Sequence, residues 1–200
     1  KHLEMDAVIS IAEDYTKFTF RENTAKINDF AMSFDGWLKM NENDYGMDIS
    51  FKSPDNSFRS ILSLIPGMYT ESFGSIETKG ELAFTRFAKG TYSEKQMPAF
   101  NLNLMVKEAM FHYPELPTAI SNINLDLLVD NKDGIIEHTI IDLKKLHLDF
   151  GSNPVNARAL ITTLYPTNLD AEVSAALNLA EVAKMFPVEG LDMKGNYALN

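Results

Sequence analysis

The sequence predicts a mainly β fold: a long curved antiparallel sheet, or an open β-roll or sandwich, with two short amphipathic helices and an internal repeat. Three observations predict it. Apolar residues recur at every second position over most of the chain. Two short segments switch to helical spacing. These two segments and their flanking strands align with each other.

The strands follow in order. Phe30, Met32, Phe34, Leu38 and Met40 share one parity. Met47, Ile49 and Phe51 alternate with Asp48, Ser50 and Lys52. Ile76, Thr78, Leu82 and Phe84 alternate with Glu77, Lys79 and Glu81. Phe100, Leu102, Leu104 and Val106 are interleaved with Asn101, Asn103 and Lys107's phase, and Ile123, Leu125, Leu127 and Val129 with Asn122, Asn124 and Asp126. Leu146, Leu148 and Phe150 alternate with Lys145, His147 and Asp149, and Leu169, Val173, Ala175 and Leu177 with Asp170, Glu172 and Ser174. Each strand therefore has one apolar and one wet face, the pattern of an antiparallel sheet solvated on one side. Between Ile140 and Leu146 the parity changes near Lys144-Lys145, which predicts a bulge or a twist in a long strand. Turn signals separate the strands: Asn41 to Gly46, Asn131-Lys132-Asp133-Gly134, Gly151 to Pro154 and Tyr165 to Asn168. Asp-Gly supplies the positive φ a tight hairpin needs.

In the first helical segment Phe58, Ile61, Leu62 and Ile65 fall at i, i+3, i+4, i+7, and Pro66 ends it. Leu179, Val182, Ala183 and Phe186 repeat the spacing before Pro187, with Asn178 and Glu181 placed as a capping pair. Phe58 aligns with Leu179, and Pro66 with Pro187, at a constant offset of 121. Ile76-Glu77-Thr78-Lys79-Gly80 aligns with Leu191-Asp192-Met193-Lys194-Gly195 at an offset of 115. The repeat unit spans about residues 47–170, and the next begins at 171–200. The whole of 1–200 reads as one β-rich repeat segment, a piece of a longer protein.

Composition narrows the function. With 200 residues and 45% hydrophobic content the chain is long enough to bury a core. A net charge of −10 repels phosphate backbones, so no nucleic-acid partner is expected. Without cysteine there is no thiolate nucleophile, disulfide or Cys-ligated metal. The four histidines, His2, His112, His138 and His147, form no close ligand pair, and His147 reads as a solvated strand residue. The acidic stretch Asp130 to Glu137 would put Val129 at the first ligand position of a calcium loop, so a hairpin turn is the better reading. No Gly-x-Ser-x-Gly or phosphate-cradling glycine loop occurs, and no local pattern selects a carboxylate pair. No enzyme, cofactor or metal site is expected. An acid–base hydrolase would need two carboxylates facing each other in a cleft.

What stands out is apolar surface, with 13 Phe and 10 Met. Two short helices cover only part of so many apolar strand faces. Either the sheet folds over on itself or a groove is left that accepts something apolar. The candidate groove floor is Leu102, Leu104, Val106, Ile123, Leu125, Leu127 and Val129. The candidate plug is formed by Phe58, Ile61, Leu62, Ile65, Leu179, Val182 and Phe186.

Three segments carry a family resemblance: Glu115 to Leu125, the turn Asn131 to Gly134, and Ile141 to Val155. Within the last, Leu143, Leu146, Leu148 and Gly151 fill an L-x-x-L-x-L-x-x-G phrase. Together with the repeat, they make the chain from about Phe30 onward resemble the AsmA-like family of Gram-negative envelope proteins. The resemblance implies a β-rich body in the periplasm, held to the inner membrane by a helix outside this chain. It implies a part in outer-membrane biogenesis and in phospholipid transport between membranes, along a groove with an apolar floor. It brings no catalytic residues. The expected partner is a phospholipid or other acyl-chain ligand. The alternative expectation is a non-catalytic structural or interaction β-sandwich of the cell envelope, its sheet faces satisfied by each other.

Overall fold

The computed structural model describes residues 2–53, 57–64, 75–114, 117–185 and 194–199. Among these residues twelve strands form one open, antiparallel sheet. They are β1 (Leu3–Asp6), β2 (Ile9–Ile11), β3 (Lys17–Ile27), β4 (Phe30–Met40), β5 (Tyr45–Lys52), β6 (Glu77–Tyr92), β7 (Ala99–His112), β8 (Ile120–Asn131), β9 (Ile140–Phe150), β10 (Asn153–Thr163), β11 (Asn168–Asn178) and β12 (Asn196–Leu199). From β3 onward each strand pairs with the next in sequence, while β1 and β2 share the outer edge of β3. Helix α1 (Phe58–Leu62) lies between β5 and β6, and α2 (Leu179–Met185) between β11 and β12.

This meander is what one-sided alternation dictates. Residues directly opposite across an antiparallel pair share a face, so matched parity lines up whole rows of apolar side chains. One row runs Phe34, Phe51, Arg86, Leu102, Val129, Ile141, Ile161, Leu169 from β4 to β11. The opposite face carries Asp48 with Lys89 at 2.9 Å, Asn101 with Asp130 at 3.0 Å and Arg158 with Glu172 at 2.8 Å.

The expected bulge is present. Leu143 pairs with Leu127 and Lys145 with Asp126, so Lys144 is the extra residue. Without it the L-x-x-L spacing of Leu143 and Leu146 would send the two leucines to opposite faces. With it, Leu143, Leu146 and Leu148 stand opposite Ala159, Ala157 and Val155 on one face. Gly151 closes the following turn at φ 61°. Gly134, at φ 79°, closes the β8–β9 connection, where its N–H donates to Asn131 Oδ1 at 2.7 Å.

Strands β1, β2, β3 and β10 lie where alternation gave no clear signal. In β3 a register shift between Phe20 and Asn23 swaps the apolar parity midway. In β10 the inward positions include Ala157 and Ala159, too small to mark a greasy face.

Both helices begin as caps require. The Ser57 side chain accepts from the Arg59 N–H, and Asn178 Oδ1 accepts from the N–H groups of Ala180 and Glu181, each at 3.1 Å. The Glu181 carboxylate does not complete a capping box. It reaches instead to the Ser152 hydroxyl and the Asn153 amide, at 3.0 and 2.8 Å. Ile65, Pro66, Phe186, Pro187 and the Leu191–Met193 stretch lie outside the described residues.

Candidate functional site: a half-covered apolar trough

The core occupies one end of the apolar face. Phe30, Met32, Phe58, Leu62, Ile76, Leu82, Val106, Ala109, Ile120 and Ile123 are buried there as one cluster. Helix α1 packs across β6 and β4, and its Phe58 and Leu62 enter the cluster while Ile61 packs on its rim. Phe30 and Phe84 meet edge to face at 5.5 Å between ring centres. Gly80, at φ 110°, permits β6 and β7 to approach closely here, because a Cβ on it would lie 2.3 Å from the Ala109 Cα.

Along the same strands, away from α1, the apolar face continues without that cover. The seven floor candidates divide accordingly. Val106 and Ile123 are buried under the helix-covered end, and Leu104 and Leu125 pack against that cluster. Leu102, Leu127 and Val129 lie beyond it and are half-buried. The rows they belong to extend over β9, β10 and β11 through Ile141 and Ile161 to Leu169 and through Leu143 and Ala159 to Ala171, both of which are exposed. At the far rim Met40, Tyr45 and Tyr92 are exposed as well. The plug candidates do not act as one group. Phe58, Ile61 and Leu62 seal the covered end, whereas Leu179 and Val182 belong to α2, which packs on β11.

One residue on this face is unlike its neighbours. Arg86 follows Leu82 and Phe84 in phase along β6, with Ala88 after it. Among the described paired positions on the apolar face from β3 to β11, it is the one charged side chain. Its guanidinium lies over the Phe51 ring at 4.4 Å and the Phe84 ring at 5.1 Å. One Nη2 hydrogen points to the Met32 sulfur at 3.6 Å. Its Nε is buried and has no hydrogen-bond partner among the described residues. Desolvation holds its pKa below the usual arginine value, the shift expected when burial disfavours charge. The only sequence signal for this residue was a cation in phase with apolar neighbours in Phe84-Thr85-Arg86-Phe87-Ala88. A strand read as stopping at Phe84 misses it.

The polar groups elsewhere do structural work. Asp133 accepts from the Ile135 N–H at 3.0 Å and sits 2.6 Å from His138 Nδ1; the His138 contact and then the Ile135 bond hold its carboxyl below the usual range. His147 Nδ1 lies 2.7 Å from Asn156 Oδ1 on the wet face. Among the described residues no group of three or more His, Asp or Glu is placed to hold a metal ion. No described helix is long and apolar enough to cross a membrane. What this face of the sheet offers chemically is apolar surface with one cation in it.

Compared with family models, curated proteins and solved structures, the chain matches none.

Proposed function

We propose that this chain is a periplasmic segment of an AsmA-like protein, and that its trough shields acyl chains as phospholipid moves between membranes. The observation that carries the reading is the extension of the apolar face past α1. Rows of leucine, valine and isoleucine continue from the buried core over β7 to β11 with no second layer on them among the described residues. Each methylene of a lipid tail laid on such a floor contributes about 0.8 kcal/mol. Exposed faces of this extent are uncommon unless something apolar covers them. The resemblance in Ile141 to Val155, placed on the trough by the bulge at Lys144, supplies the envelope context. The inner-membrane anchor and the role in outer-membrane biogenesis rest on that resemblance.

A closed, ligand-free sandwich would bring a second sheet layer onto this face. All twelve described strands instead belong to one open sheet, and the strand pairs in extensive contact are sheet neighbours. The test is native mass spectrometry of the purified chain together with uptake of a fluorescent fatty acid. Copurifying lipid or saturable uptake supports the proposal. A lipid-free protein that takes up nothing overturns it.

A further inference from the structure

We infer that Arg86 is an anion-anchoring residue on the trough floor, holding the carboxylate or phosphate of an acyl amphiphile whose tail lies across the strands. The inference rests on the acyl-binding reading of the trough and adds the chemistry of the head group.

An arginine carries five N–H donors in a rigid fork suited to carboxylate and phosphate. Placing that fork on an apolar face costs desolvation energy unless it is paired. Among the described residues no carboxylate pairs with Arg86. Its contacts among the described residues are two ring faces and a thioether, all weak partners, and Nε has none there. A hydrophobic side chain of similar length would fill the same space against Phe51, Phe84 and Met32, and the cation–π contacts that it gives up satisfy none of the guanidinium's N–H donors.

Position gives the second argument. Arg86 stands where the helix-covered core ends. Its direct partner on β7 is Leu102, and the row proceeds through Val129, Ile141 and Ile161 to Leu169. Five strand spacings make this track about 24 Å long. A tail laid along it meets only apolar side chains, while its charged end lies at the one cation of the face. Charge complementarity thus selects an anionic amphiphile over a neutral one.

The experiment measures displacement of a fluorescent fatty acid by palmitate, by cetyl alcohol and by inorganic phosphate, in the native chain and in Arg86→Met and Arg86→Lys. The native chain binds palmitate at least about tenfold tighter than the alcohol, the effect of one charge-assisted hydrogen bond. Arg86→Met brings the ratio to about one, by weakening palmitate, and Arg86→Lys retains part of the preference. A native ratio near one overturns the inference even where Arg86→Met fails to fold. An unchanged ratio in Arg86→Met, or phosphate alone displacing the probe as well as palmitate does, overturns it too. Equal binding of both amphiphiles removes only the role of Arg86. If neither binds, the acyl-binding reading falls with it.

Discussion

Gly80 and Gly195, 115 positions apart, hold the same backbone region, with φ of 110° and 102°. Each follows a lysine near the start of the strand after a helix, β6 in one case and β12 in the other. Their helices are capped by Ser57 and Asn178, which are 121 positions apart. The two glycines of the sequence pattern thus share a positive φ, and the two helices a side-chain N-cap. The surroundings differ, however. A Cβ at Gly80 meets the Ala109 backbone at 2.3 Å, whereas one at Gly195 meets nothing within 4 Å among the described residues. Gly195→Ala therefore costs only backbone strain, about 1–2 kcal/mol. Gly80→Ala adds a clash with backbone and costs more. Chemical denaturation of the two variants gives that order; equal costs would mean that β6 and β7 are not held together at this point.

Asn153 ties α2 to the sheet. Its Oδ1 accepts from the Asn178 N–H, and its amide donates to Phe150 O at 2.7 Å and to Glu181 Oε2 at 2.8 Å. The residue is buried. Asn153→Ala leaves those partners unsatisfied and costs about 2–3 kcal/mol. Hydrogen exchange localises the effect, with faster exchange at Asn178 and the first turn of α2 and little change in α1.

Leu62 is 3% exposed in the core beneath α1. Leu62→Ala removes a buried side chain and leaves a cavity, so it costs about 2–5 kcal/mol, read as a lower denaturant midpoint. The row from Leu102 to Leu169 lies away from this cluster. Leu169→Ala, at an exposed position, changes stability by under about 1 kcal/mol.

The Asp133 carboxyl has a folded pKa below its unfolded value of about 4, chiefly through the His138 contact. A depressed acid contributes stability that is present above the unfolded pKa and lost as pH falls through the folded one. Asp133→Asn therefore flattens the acid limb of the stability–pH curve below about pH 4. A curve of unchanged slope would show that the exposed Asp133–His138 contact carries no linkage.

Much of this fold is legible in the sequence because a one-sided sheet writes its faces as simple alternation. Leu102, Leu104 and Val106 show it, and the displaced parity at Lys144 marks the bulge. Where a register shift interrupts β3 between Phe20 and Asn23, or alanines occupy the inner face of β10, the pattern fades and those strands are hidden. The division of the floor is a tertiary fact. Val106 and Leu102 belong to one alternating run, yet α1 buries the first and leaves the second half-open. Arg86 was hidden for the converse reason, since a charge inside an apolar phase looks like the end of a strand.

Photo-crosslinking with a diazirine fatty acid, mapped by peptide mass spectrometry, tests the trough most directly. Labels should fall on Leu102, Leu127, Val129 and Ile141, be displaced by excess palmitate, and spare Asn101, Asn103 and Asp130 on the wet face. Labelling that ignores this alternation, or that palmitate does not displace, would contradict an acyl-binding trough.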